Sequence, residues 1–456
     1  MIKNVYTPND FLDKQSDSAM IQAAVDEAAK YGVTVEIPRY NQRTGKCLWE
    51  LDESIKLHTG SSVILDNCHL RLCDYKYVNF FTNSNAAKFK NYVRKENRQY
   101  DISLIGKGHP ILDGGVPCEM CEGDFTIYDE NGNFVKHVPE IAGITSMAEN
   151  IGLRFINVER ITVSNLRFVN NRYWTMSFWF CSYGTVRDIS VEALNNVPNQ
   201  DGINLRQGVN NFLVENVDAW TGDDTVALTN FGPGGYDGTD LSSDVHDIIV
   251  RNIRSRQTGE CDMIRILARG GGCIYNVLID GVFDLTDPHE EKRPLAAIRI
   301  GDICDYQKRR NILGETRNLV IRNVVTRGRF GAYIADTLCD SVFDNMKLYA
   351  DAGIGMYFNG CTLKNVRVRD LCYDITAEAP DSDLGYQENF HRVKIDELNA
   401  VHFNNCTAEN LVFDGVVTGK KLSHVFGGNS ELTVKASHVE IMDSNTTLTN
   451  CANIVV

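Results

Sequence analysis

Apolar residues recur along this chain with two different periods, and the change of period divides it. Over residues 17–30 they fall three to four apart, with Ile21, Val25 and Ala28 on one face. Asp17 or Ser18 stands where an N-cap belongs, and Gly32 lies just past the end. The spacing predicts one amphipathic helix. Beyond it the period drops to two, at 33–38, 62–65 and 68–72, which predicts short strands. From about residue 151 a unit of the form apolar-x-apolar-x-Asn-apolar repeats at 161–166, 212–217, 248–253 and 319–324, with Asp-Gly variants at 277–282 and 411–416. Successive units begin 51, 36, 29, 42 and 92 residues apart, which fits one, two or four turns of about 22–29 residues, with insertions at 230–244 and 284–315. Repeats of this size are stacked units, each burying its apolar face against its neighbours.

The polar position of the unit has a physical reason. Asparagine tolerates left-handed backbone and hydrogen-bonds nearby backbone, so it turns the chain between strands. On successive turns such residues can bond one another in a ladder. The spacers between strands are too short, and too rich in Gly and Asn, for the helices that a doubly wound sheet or a barrel requires. The expected architecture is an all-β parallel β-helix in one domain, residues 1–456. A cap over 1–45 carries the helix, and coils and groove loops fill 46–456. The polar, poorly periodic stretches 83–100 and 118–137 read as loops walling a groove.

Composition narrows the partners. Lys and Arg number 46 and Asp and Glu 60, so the formal charge is 46 − 60 = −14, and a nucleic-acid partner, which needs a basic surface, is not expected. No run of 18 apolar residues is present, and a membrane partner is not expected either. The first ten residues lack the apolar core of a secretory signal, so a cytoplasmic location is expected unless a signal was removed. Fourteen cysteines include one Cys-x-x-Cys, Cys118 to Cys121, without a second pair at zinc spacing. The others read mostly as reduced, buried small hydrophobes. Basic residues concentrate at Arg265, Arg269, Lys292, Arg293, Arg299, Lys308, Arg309 and Arg310, either as a solvated face or as a site for a carboxylate-bearing sugar.

The chemistry lies in two segments. Asn199-Gln200-Asp201-Gly202-Ile203 and Thr221-Gly222-Asp223-Asp224-Thr225-Val226 each set carboxylates at the mouth of a short strand, and 22 residues separate Asp201 from Asp223. If 22 residues make one turn, the carboxylates stack on neighbouring turns about 4.8 Å apart. A lone Asp-Gly is a turn signal, occurring here at Asp113, Asp201, Asp237, Asp280 and Asp414. Gly-Asp-Asp occurs once, and its coincidence with Asp201 one turn earlier points to a site. Adjacent carboxylates repel unless they are paired or used, and like charges in one cleft raise at least one pKa. The aromatic run 173–180 reads as core on alternate positions, with one or two rings able to stack on a sugar.

These motifs, with Cys261-Asp262-Met263-Ile264-Arg265 and Ala297-Ile298-Arg299-Ile300-Gly301 downstream and the N-terminal helix before 35–38, resemble family 28 of the glycoside hydrolases, the polygalacturonase family. The resemblance covers roughly residues 15–72 and 150–330. It implies a right-handed coil, inversion at the anomeric carbon, Asp223 as general acid, and Asp201 and Asp224 as the pair that activates water. Asn199, Asp262, Arg265, Arg299 and Tyr333 become candidate substrate contacts, with Asp262 either pairing with Arg265 or Arg299 or hydrogen-bonding a sugar hydroxyl. No metal and no cofactor are called for. The chain departs from the family's Gly-His-Gly at Cys261-Asp262-Met263 and from its Arg-Ile-Lys at Arg299-Ile300-Gly301, so a substrate other than plain polygalacturonate is expected. The expected partner is a carbohydrate, and the oligomeric state stays open. Two other readings remain open: a polysaccharide lyase with Asp201, Asp223 and Asp224 around Ca²⁺, and a non-catalytic carbohydrate-binding β-helix.

Overall fold

The computed structural model describes residues 3–74, 76–86, 93–115, 125–128, 134–138, 150–193, 199–232, 239–257, 261–287, 293–302, 309–349, 353–374, 398–419 and 422–455. Its α-helix, Asp17–Tyr31, starts where the spacing places it, but the N-cap is Ser16 rather than Asp17 or Ser18, its hydroxyl accepting from the Ala19 N–H at 3.2 Å. Gly32 ends the helix in the left-handed region, φ 63°. Met20, Ile21, Ala24, Val25 and Ala28 are buried where the helix lies over the first strands, so it closes that end of the apolar core. No helix among the described residues is long and apolar enough to cross a membrane.

After the helix the described residues are mainly the stacked turns of two long parallel sheets. A thirteen-stranded parallel sheet takes one short strand from each turn, among them Met176–Trp179, Ile203–Leu205, Val226–Asn230, Ile264–Ala268, Ala296–Ile300 and Phe330–Ile334. Inward positions of neighbouring turns lie in register, Ile203 on Val226 on Ile264 on Ile298 on Ala332. One hydrophobic core therefore runs along the axis. The longer strands, such as Asn210–Thr221 and Val245–Gln257, form the remaining walls and bend at the asparagines of the repeat. Asn165, Asp188, Asn216, Asn252, Asn323 and Asn345 all have φ between 52° and 58°, and at Gly281 and Gly415 the glycine after the aspartate takes that role.

Two expectations change. The 92-residue step is three turns rather than four (Val320 on Val342 on Arg367 on Val412), the last enlarged by an insertion outside the described residues. Within 118–137, read as loop, Phe125–Tyr128 pairs antiparallel with Phe134–Val138; the rest of that stretch lies outside the described residues, as do Cys118, Cys121, Lys292 and Lys308. Among the described cysteines Cys181, Cys361 and Cys406 are buried thiols and Cys47 is an exposed one.

Candidate active site

Register decides which acids meet. Ile203 pairs with Val226, a turn of 23 residues, so Asp224 rather than Asp223 lies directly over Asp201. Val226 pairs with Ile264, which brings Asp262 to the same rung of the next turn. The turn backbone binds these rungs together: the Gly202 N–H donates to the Asp224 carbonyl at 2.9 Å, and the Thr225 N–H to the Asp262 carbonyl at 3.1 Å. Gly202 is not a left-handed turn residue. A Cβ there would sit 2.4 Å from the Thr225 carbonyl oxygen, so only glycine lets the turns approach this closely at the Asp201 position.

The side chains are held as follows. Asp201 is 5% exposed; one oxygen accepts from Asn204 Nδ2 at 3.0 Å and the other, Oδ1, has no hydrogen-bond partner. Asp224 is 3% exposed, its Oδ1 accepts from the Asp262 N–H at 3.2 Å, and Arg265 Nη1 lies 3.5 Å from its Oδ2. Asp223 is less buried, and its Oδ1 accepts from the Asp224 N–H at 2.8 Å. Burial, then Asp223 and Asp224, push the Asp201 carboxyl well above the usual carboxylate range. Burial pushes Asp224 up too, but there the next influence is Arg265, which pulls it back. Both buried carboxyls are therefore held well above the usual carboxylate range, and the cluster favours keeping a proton among them.

These acids line one pocket of about 270 Å³ with Asn199, Asn204, Arg206, Arg265, Trp174 and Phe231. The sequence reading missed Asn204 and Arg206, the outward positions of the strand that carries Ile203 and Leu205, where period-two alternation alone could have found them. The Arg206 guanidinium lies 4.9 Å from the Trp174 ring and 5.1 Å from the Phe231 ring. Trp174 is 6% exposed, the ring of the 173–180 run that reaches the pocket. A larger depression of about 790 Å³ lies outside the other walls, over Tyr183, Leu213 and Ile249, away from the acids.

The remaining candidates lie deeper. Arg299 is 1% exposed: its Nη1 donates to Asp262 Oδ2 at 3.2 Å and its Nη2 to Asp302 Oδ1 at 2.7 Å. Instead of reaching toward a sugar, it neutralises two buried acids. Burial works against its charge, but Asp262 and Asp302 more than offset that. Asp262 is 1% exposed and committed to this pair rather than presented to a substrate. Tyr333, 1% exposed, accepts from Asn359 Nδ2 at 3.0 Å and packs under the Arg299 guanidinium at 5.3 Å. Of the five substrate contacts expected, Asn199 and Arg265 line the pocket, and Asp262, Arg299 and Tyr333 form the layer beneath and beside it.

No protein-family model matches the chain. Among solved structures it is similar to a variant tailspike protein of E. coli bacteriophage HK620 in complex with a hexasaccharide, at 12% identity over 98% of this chain and 78% of that one, TM-score 0.59. It is also similar to the A-module of the Azotobacter vinelandii mannuronan C-5 epimerase AlgE4, at 12% identity over 99% and 97%, TM-score 0.51. An exopolygalacturonase from Thermotoga maritima matches at 12% over 100% and 92%, but its TM-score of 0.44 is too low to carry an argument. At such identities the likeness concerns architecture alone: the chain is a right-handed parallel β-helix.

Proposed function

We propose that this chain is an inverting glycoside hydrolase acting on a pectic or related oligosaccharide or polysaccharide. The observation that carries the reading is the convergence of Asp201, Asp223 and Asp224 on one pocket, with two of the three buried and the Arg265 guanidinium 3.5 Å from Asp224. Such an arrangement supplies what glycoside hydrolysis needs, a protonated carboxyl beside an ionised one. Asp201 and Asp224, both buried and both raised, keep a proton between them, and Arg265 beside Asp224 favours the ionised form there, which would orient water. Asp223, the most accessible of the three, faces the sugar; the family resemblance gives it the final proton transfer to the leaving oxygen, for which the buried pair is the adjacent reservoir. Trp174 and Phe231 offer apolar ring faces to a sugar. A hexasaccharide bound to a protein of this fold supports carbohydrate as the ligand class.

The cation beside the acids is Arg265, held by Asp224 and by Asp302, which favours hydrolysis over a calcium-assisted elimination. With Arg299 withdrawn into the layer below, plain polygalacturonate is expected to be a poor substrate. Mixed or neutral pectic fragments are expected to be better ones. The test is a side-by-side assay of polygalacturonate, its short oligomers, and rhamnose- or xylose-bearing pectic fragments, with products weighed by mass spectrometry and the anomeric configuration followed by NMR. Products carrying one added water, released with inversion, support the reading. Unsaturated, ultraviolet-absorbing ends formed in an EDTA-sensitive reaction would replace it with a lyase.

A further inference from the structure

Beneath the pocket lies a closed circuit of charge with one member, Asp302, that neither the motifs nor the family resemblance includes. Arg265 and Arg299 sit in register on adjacent turns, so two guanidinium groups are stacked about one strand spacing apart. Between them is Asp302, fully buried, whose Oδ1 accepts from Arg299 Nη2 at 2.7 Å while its Oδ2 accepts from Arg265 Nη2. Its main-chain carbonyl accepts from Arg269 as well, so three arginines fix it. From Arg299 the circuit continues to Asp262 Oδ2 at 3.2 Å, from the Asp262 N–H to Asp224 Oδ1 at 3.2 Å, and from Asp224 Oδ2 back to Arg265 Nη1 at 3.5 Å.

Counting charge around it shows what Asp302 contributes. Outside the three pocket acids, Arg265 and Arg299 face Asp262 and Asp302, so this circuit is neutral in itself; Arg269, which touches the Asp302 carbonyl, has its own counter-ion in Asp336 at 3.2 Å, which Arg310 also meets. Without Asp302 a full positive charge would stand uncancelled in a buried site, where an opposite charge within a few ångströms lowers a carboxyl's pKa by about 1–3 units. The charged groups that bear on Asp201 are Asp223, Asp224 and Arg265; those that bear on Asp224 are Arg265, Asp223, Asp262 and Arg299. Arg206 lines the same pocket, against aromatic rings. A loss of negative charge at Asp302 would release Arg265 toward Asp224 and make both pocket acids easier to ionise, so its direct and indirect effects share one sign.

We propose that Asp302 is a positioning residue, the buried counter-anion that holds Arg265 and Arg299 together and lets them order the pocket aspartates. The proposal rests on the hydrolase reading only in its kinetic consequence. With a substrate in hand, Asp302→Asn in the full chain should move the descending, high-pH limb of kcat to lower pH by about one unit, with KM little changed. Arg299→Met alone, which removes a positive charge, should move that limb the other way, and adding Asp302→Asn to Arg299→Met should bring it back. This second pair also serves if Asp302→Asn by itself fails to fold.

A readout independent of any sugar is the titration of the Asp201 carboxyl, followed by ¹³C NMR on protein labelled at aspartate and assigned by its loss in Asp201→Asn. Its midpoint should fall in Asp302→Asn and return in the double variant. If no glycan is hydrolysed, the hydrolase reading fails and this titration still decides the role of Asp302. An unmoved limb together with an unmoved Asp201 titration in a folded Asp302→Asn, or no return in the double variant, overturns the proposal and leaves the hydrolase reading standing.

Discussion

Two stacks of polar residues run along this coil in register, and they solve the same problem in opposite ways. At the corner of the longer strands Asn216 Nδ2 donates to Asp188 at 2.9 Å, Asn252 to Asn216 at 2.8 Å, and Asn345 to Asn323 at 2.8 Å. An amide has both a donor and an acceptor, so each rung satisfies the next and the stack sustains itself. At the groove the rungs are Asp201, Asp224 and Asp262, and ionised carboxylates only accept. Stacked on one another they repel, so the groove needs a proton, arginines and a counter-anion that the amide rungs of the corner do without; where the corner has a carboxylate, at Asp280, an arginine meets it there too. A self-satisfying ladder is architecture; a ladder that needs outside charge is available for chemistry.

The sharpest break between the stacks is expected in activity. Asp223→Asn or Asp224→Asn should lower kcat by about 10²–10⁴-fold, the range of positioned acid–base groups, with the fold retained by circular dichroism. Asn252→Ala should leave kcat per folded molecule unchanged. Equal kcat losses at both sites would erase the distinction.

In stability the order reverses for the layer beneath the acids. Arg299→Ala leaves Asp262 and Asp302 buried without their shared cation and should cost about 3–5 kcal/mol in urea unfolding. If it folds normally and only raises KM, Arg299 touches substrate after all. At the corner, Asn252→Ala forces a Cβ residue without a polar side chain into φ 54° and removes a rung, for a cost of about 1–2 kcal/mol. Asn252→Gly should recover part of that loss, since glycine accepts the backbone but cannot rebuild the ladder.

The smallest expected effect distinguishes the stacks by pH. Because the folded-state pKa of Asp201 is raised above its ordinary value of 3.8, the folded protein holds that proton more tightly than the unfolded chain. Its contribution to stability is therefore fully present below pH 3.8 and is lost as pH rises toward the folded value. Asp201→Asn should raise the melting temperature at neutral pH, and the gain should disappear in acid. A melting temperature lowered at neutral pH would mean that the charged form is the one the fold favours. Asn216→Ala, lacking a titrating group, should lower the melting temperature about equally at both.

What the sequence determined by itself is what neighbouring residues decide. The helix and its Gly32 terminus follow from local spacing, and so do the asparagine corners, because left-handed tolerance belongs to the residue. The repeat of corners then required stacked turns, and the singular Gly-Asp-Asp next to Asn-Gln-Asp-Gly marked the groove. Tertiary structure decided the register. A turn of 23 rather than 22 residues puts Asp224 over Asp201, and the longer turns that follow, 264 − 226 = 38 and 298 − 264 = 34 residues, still return Asp262, Arg265 and Arg299 to their rungs, a result of strand pairing that spacing cannot supply; the strand of Arg299 lies inside the stretch 284–315 that spacing reads as an insertion. Burial was equally hidden. Arg299 and Tyr333 occupy outward positions of their strands, yet each is 1% exposed. Asp302, two residues beyond the end of its strand, carries no signal in the sequence, because its role exists only where two arginines from different turns meet around it.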